Sequence, residues 1–296
     1  MTLVIVSCPS KFWAFNLAEQ LDERGMLATL FTVYHEKKTP LFAKFNSRVD
    51  NENISLNRIH TRPFLSVLYK LGKSDLAVKL FDKHVASQLK KIDFEVIICW
   101  AGLSIETVKE AKRLGKKVIL ERASVHLEEQ QRMLKGEYSK FGKKFIVKNN
   151  ALIQEKIEYQ IADFISVPSN YVRDSFIDNG FLKERILVNG LGASQEFLNA
   201  KIGKPINNNK IQIIFFGSII IRKGISYLIQ AVRLLNKKNI NVECYVVGKL
   251  SKESNLILEN LPDNIKVLDF MPHKELSRFI SNKDIAVFPS IEDGYG

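Results

Sequence analysis

A chain of 296 residues is longer than one hydrophobic core usually serves, so two domains are expected. Its 46% hydrophobic and 26% charged residues exclude a disordered or fibrous class, and a formal charge of +12 points toward polyanions: nucleic acid, anionic lipid or phosphorylated small molecules. The longest apolar run, "IQIIFFGSIII", falls short of the ~20 residues that cross a bilayer, and "MTLVIVSCPS" lacks the basic opening of a signal peptide.

In chain order the pattern alternates strand and helix. "LVIVSC" (3–8) reads as a buried strand, and "KFWAFNLAEQLDERG" (11–25) as an amphipathic helix with Phe15, Ala18 and Leu21 on one stripe. "LATLFTVY" (27–34) is the next strand, 38–53 is polar and irregular, and "ISLNRIH" (54–60) is a short strand. Helical periodicity follows at 63–71 and 75–91, then the buried strand "FEVIICW" (94–100). A helix over 104–115 opens on Ser104 as N-cap, and a strand at 116–122 precedes helices at 126–139 and 150–162. "FISVPS" (164–169) is a strand, 169–180 a helix capped by Ser169, and "RILVNG" (185–190) closes the first half. Cys8, Cys99 and Cys244 fall in separate apolar strands. That is the pattern of buried thiols in a reducing compartment, not of a disulfide or zinc framework, and it predicts a cytoplasmic protein.

Residues 191–210, rich in glycine and asparagine, predict a linker between a domain of 1–190 and one of 211–296. The second half repeats the alternation, with strands at 211–217, 241–248, 265–270 and 284–290 and helices near 223–237, 251–260 and 273–282. Such alternation implies an α/β fold with parallel sheets covered on both faces, in which ligands bind beyond the carboxyl ends of the strands. The chain stops at "FPSIEDGYG", directly after a strand, so the second domain is expected to be incomplete.

One stretch raises an electrostatic question. "FFGSIIIRKGISYL" (215–228) puts Arg222 and Lys223 just ahead of a helix, where cations are of the wrong sign and cost roughly 0.3–1 kcal/mol each. A diphosphate bound there would reverse the mismatch; the alternative is that both side chains turn outward into water. A denser basic patch, "KFGKKFIVK" (140–148), is open between a solvated surface and peripheral contact with an anionic membrane. No arginine-rich block or interleaved aromatic platform favours nucleic acid. "SCPSKFWAF" (7–15) lacks a G-x-G-x-x-G turn, so no dinucleotide site is expected there. Phe12 and Trp13 either stack on a sugar or, as is favoured, pack into the core.

"FFGSIIIRKGISYLIQAVRLL", "FPSIEDGYG" and "ADFISVPSNYVRDSFIDNGFLKERILVNGLGASQEF" (162–197) resemble, in order and spacing, the motifs of family 4 glycosyltransferases, the glycosyl transferases group 1. The resemblance covers roughly 160–296 and is looser before it. It implies the GT-B fold, two Rossmann-like domains around a cleft. The implied activity is retaining transfer from a nucleotide-diphosphate sugar to a saccharide or glycolipid acceptor in a polysaccharide pathway, with no cofactor. The sequence has no D-x-D triplet or His/Cys cluster, so no metal is expected.

By position, Lys223 matches the family's lysine on the donor diphosphate. Ser218 stands where the family often has an arginine, and Arg222 is the candidate to replace that charge. Gly217, Gly248, Met271, Glu292, Asp293 and Gly294 complete the implied donor site, Asp293 aligning with the first acid of the family's E-x7-E motif. His126 is implied to face the donor sugar, with Glu121 and Arg122 in support, which makes His126, Arg222 and Lys223 the catalytic candidates. Pro9 and Lys11 lie in the loop that the family turns toward the acceptor. The alternative is a catalytically silent GT-B module that binds a partner or an anionic membrane.

Overall fold

The computed structural model describes residues 2–40, 52–147, 149–193, 195–199 and 210–295. The chain divides into two compact units, one of 1–123 with 147–189 and one of 124–146 with 190–296. The second unit therefore also takes residues 124–146, in addition to the expected 211–296. Most of the expected linker at 191–210 lies outside the described residues.

The first unit is built from β1 (Val4–Ser7), α1 (Ala14–Glu23), β2 (Leu27–Thr32), β3 (Ile59–Thr61), α2 (Leu65–Lys70), α3 (Ser74–Leu89), β4 (Val96–Trp100), α4 (Ile105–Arg113) and β5 (Lys117–Glu121). The chain then gives α5 (Leu127–Ser139) to the second unit and returns with α6 (Asn149–Ile161), β6 (Phe164–Val167), α7 (Asn170–Asp178) and β7 (Ile186–Val188). Seven parallel strands run in the order β3-β2-β1-β4-β5-β6-β7. Val4–Ser7 of β1 lie in register with Val96–Cys99 of β4, and apart from Ser7 both strands are apolar because helices cover both faces. Phe15, Leu27, Leu30, Ile59 and Trp100 fill the core on one side.

Helix capping departs from the local signal at one end. Ser169 caps α7 as expected, its Oγ accepting the Val172 N–H at 3.3 Å. Ser104 does not cap α4 with its side chain; its hydroxyl donates to the Trp100 carbonyl at 3.1 Å. The free N–H groups of Glu106 and Thr107 are taken instead by the buried Asp82 carboxylate of α3, at 2.8 and 2.9 Å.

The second unit adds α8 (Gln195–Leu198), β8 (Ile211–Phe216), α9 (Ile225–Lys237), β9 (Val242–Val247), α10 (Ser254–Ile257), β10 (Ile265–Leu268), α11 (His273–Ile280) and β11 (Ile285–Ala286). Its four parallel strands run β10-β9-β8-β11. Strand order reverses between β8 and β11, which makes the carboxyl ends of those two strands the crevice of this sheet. The strand expected over 284–290 pairs only through Ile285 and Ala286, extended by the Val287 N–H to the Ile214 carbonyl. Pro289 has no N–H to continue the ladder. The helix expected at 251–260 shortens to the four residues of α10. Cys8, Cys99 and Cys244 are buried and lie outside any disulfide. No helix among the described residues is long and apolar enough to cross a membrane.

Candidate functional site

Strand β8 delivers the chain to Gly217, and a single 3-10 turn, Ile221–Lys223, intervenes before Gly224 caps α9. Ile219 and Ile221 are buried beneath this turn and anchor it. Arg222 and Lys223 thus sit one turn ahead of the helix rather than inside it. Their side chains are only 26% and 21% exposed, so they do not swing out into water. They meet acids from the loop after β11. Arg222 Nη1 donates to the Glu292 carbonyl at 2.9 Å and lies 3.3 Å from Glu292 Oε2 and 3.5 Å from Asp293 Oδ1. Lys223 Nζ pairs with Asp293 Oδ2, which also accepts from Ser290 Oγ at 3.2 Å. The Ile291 N–H donates to the Arg222 carbonyl at 2.9 Å. Two cations and two carboxylates therefore bridge the loops of the two strands at the order reversal, and this pairing resolves the sign mismatch at the head of α9.

Helix α5 braces this cluster. Glu292 is 1% exposed, and its carboxylate accepts the Val125 N–H at 3.2 Å and the Gln130 amide at 2.8 Å. His126, next to Val125, is buried and caps α5, its Nδ1 accepting the Glu128 N–H at 3.4 Å. At the other end of α5 the Tyr138 hydroxyl donates to Glu253 Oε1 at 3.0 Å, and Glu253 Oε2 accepts the Ile221 N–H at 2.9 Å. A carboxylate fixed by a tyrosine thus holds the first residue of the cationic turn. Burial, reinforced by the adjacent Glu253 carboxylate, pushes the Tyr138 hydroxyl up to about 12.

The donor-side candidates collect at the strand ends. Gly217 donates to the Val247 carbonyl at 2.9 Å and Gly248 to Leu268 at 3.0 Å, and a Cβ on Gly248 would stand 1.8 Å from the Gly217 oxygen. Ser218 is exposed beside Gly217, Gly294 is buried after Asp293, and Met271 follows β10 and packs against Val247 and Leu276. Pro9 and Lys11 belong to the first unit, where Pro9 is buried and Lys11 pairs with Glu52 at 2.8 Å. Trp13 packs on Trp100 with ring centroids 5.5 Å apart, as core packing requires, whereas Phe12 stays 55% exposed. Gln130, Tyr138 and Glu253 escape a reading of the sequence, since no local motif marks them and only the docking of α5 gives them their roles.

Glu121, at the end of β5, is 6% exposed and accepts the Trp13 indole N–H at 3.1 Å. Burial, opposed by hydrogen bonds from Ser166 and Trp13, pushes its carboxyl up to about 7. A raised carboxyl is still protonated in the folded chain at pH values where the unfolded chain has lost the proton. Stability therefore falls as pH rises from the ordinary glutamate range to about 7, then levels off. Glu121→Gln is expected to remove a loss of about 3 kcal/mol across that window, read from urea midpoints at pH 5 and 7.5. The residual slope combines Glu158, buried and pushed up to about 8, with His84, which burial and Arg62 lower to about 4 and which therefore acts in the opposite sense. An unchanged slope in the variant would refute the assignment. Arg122, the neighbouring candidate, pairs with Glu155 at 2.9 Å.

Known proteins share both the sequence and the architecture. The glycosyl transferases group 1 profile matches residues 197–296. Over 159 residues the chain is 29% identical to the capsular polysaccharide biosynthesis glycosyltransferase CapM of Staphylococcus aureus, covering 49% of this chain and 42% of that one. Residues 197–296 are thus similar to the group 1 glycosyltransferases. The chain spans under half the length of the curated relatives it matches. Among solved structures, a sucrose-phosphate synthase from Thermosynechococcus elongatus superposes with a TM-score of 0.62 at 15% identity, over 100% of this chain and 77% of that one. The lipopolysaccharide outer core galactosyltransferase WaaB superposes at 0.59 with 12% identity, over 98% and 74%. Fold alone follows from identities this low: the chain has the α/β architecture of these GT-B structures, with a parallel sheet in each unit.

Proposed function

We propose that the chain is a retaining glycosyltransferase that moves a sugar from a nucleotide-diphosphate sugar to a saccharide or glycolipid acceptor. The observation that carries this reading is the seating of Arg222 and Lys223 at the order reversal of a parallel sheet, one turn ahead of a 13-residue helix whose N-cap glycine offers no side-chain acceptor. Cleaving a sugar–phosphate bond leaves a charge-rich diphosphate. A guanidinium, an ammonium and the first N–H groups of α9 are donors suited to stabilise it. Asp293 already holds both cations, so a bound diphosphate takes over contacts that the acid makes in the free chain. His126, one residue from the Glu292 contact, is the proposed ligand of the reacting sugar, with Gly217, Ser218, Gly248, Met271 and Gly294 lining the donor. Pro9 and Lys11 are proposed for the acceptor side. The three buried cysteines, none of them in a disulfide, support a reducing, cytoplasmic setting.

The neutralised quartet also favours a second reading, a silent GT-B module in which the acids keep the cations permanently. Calorimetry with nucleoside diphosphates separates the two. Arg222→Ala with Lys223→Ala is expected to weaken binding at least about 100-fold, since two charge-assisted contacts are lost. Binding that survives the double substitution overturns the proposed site, and no binding by the unaltered chain favours the silent module.

A further inference from the structure

Helices α2 and α3 form a hairpin of the first unit that is apolar on the wrong side. Ala77, Phe81, Val85 and Leu89 of α3 turn into the core at helical spacing. Leu76 and Leu80 fall on the opposite side of the same helix and are 44% and 42% exposed. Around α2, Phe64, Val67 and Leu71 follow each other at intervals of three and four and are 55%, 49% and 64% exposed. Scattered exposed leucines are ordinary; five large apolar side chains on one short hairpin mark an interaction surface.

The charges between them select the partner. From Arg62 to Lys91 the sequence holds six lysines and one arginine against two aspartates, of which Asp82 is buried as the cap of α4. Lys70, Lys73, Lys79 and Lys83 are exposed among the apolar side chains. Protein interfaces deplete lysine at their centres, whereas a bilayer surface suits this mixture. Apolar side chains enter the headgroup boundary while lysine stems lie along it, with their ammonium groups at anionic lipid phosphates. We propose that the α2–α3 hairpin docks the chain on an anionic lipid bilayer. The described residues of the basic stretch 140–148 fit less well, since Lys140 is held by Glu137 and Tyr227 and Ile146 is the exposed large apolar side chain among them. The hairpin shares no residue with the diphosphate site, so this inference stands or falls apart from the donor reading.

Co-sedimentation with vesicles of phosphatidylcholine, alone or with about one third phosphatidylglycerol, tests it at low and moderate salt. The 296-residue chain is expected to pellet with the anionic vesicles and to stay in solution with the neutral ones. Lys73→Gln, Lys79→Gln and Lys83→Gln together should lower partitioning about 100-fold, at about fivefold for each lysine. Val67→Ser, Leu71→Ser, Leu76→Ser and Leu80→Ser together should lower it at least about tenfold at unchanged charge. All seven positions are exposed, so the thermal midpoint and nucleoside diphosphate binding should stay at their original values. Absence of vesicle binding, or binding that neither variant weakens, overturns the proposal. So does concentration-dependent dimerisation without lipid that the serine variant abolishes, because a second copy would then occupy the surface.

Discussion

Gly224→Ala is expected to disable the second unit. The residue holds φ at +66, and a Cβ there would stand 1.8 Å from the Pro289 carbonyl oxygen and 2.8 Å from its carbon. Both are backbone atoms of the loop that carries Glu292 and Asp293, and the Ile291 N–H bond to Arg222 ties that loop to the cationic turn. No rotamer change relieves the overlap, so the alanine must force apart the loops of β8 and β11. The cost is expected to be about 4 kcal/mol or more, a drop of roughly 10 °C or more in that unit's unfolding midpoint, with loss of nucleoside diphosphate binding. Gly72→Ala is the control. Its φ of +71 is nearly the same, but nothing lies within 4 Å of the added carbon, so only the backbone strain of about 1 kcal/mol should appear. Equal effects of the two substitutions would show that strain, not the approach of Pro289, fixes the glycine.

The strands were legible because the inner ones are predominantly apolar, broken only by single polar residues such as Gln212 and Glu243; β1, β4, β8 and β9 fall within a few residues of the expected bounds. Where a local signal competed with a distant group, the distant group won. Ser104 has the sequence context of a cap, yet Asp82 reaches the same N–H groups from α3. The 3-10 turn at Ile221–Lys223 is invisible in the sequence because its residues continue the periodicity of α9. The site was legible in its parts: a cation pair after one strand and an acid pair after another. That the pairs neutralise each other was not, since it depends on β8 and β11 being neighbours in the sheet. Residues 124–146 are the clearest case. Their composition says amphipathic helix, but nothing in it says which unit that helix joins. That choice rests on contacts of Glu292 with residues 162 and 167 positions earlier in the chain.

Glu292 is accordingly the second residue whose loss should be severe. Its side chain has no exposed surface, and its carboxylate answers the Val125 N–H, the Gln130 amide and the Arg222 guanidinium. Glu292→Ala leaves all three without that acceptor and opens a void among them. Breaking a buried charge pair from one side costs about 3–5 kcal/mol. Arg222 is 26% exposed and keeps Asp293 nearby, which puts the expectation at the lower end of that range. Glu292→Gln keeps one carbonyl acceptor but turns an amide N–H₂ toward a donor, so it should lose about half as much. The distinguishing readout is hydrogen exchange. Because Glu292 fastens the start of α5 to the β11 loop, the alanine variant should lose protection across 124–139 while β1 and β4 of the first unit keep theirs. If protection fell uniformly, Glu292 would act only through global stability. If α5 stayed protected and stability fell by less than about 1 kcal/mol, the carboxylate would not hold the helix at all.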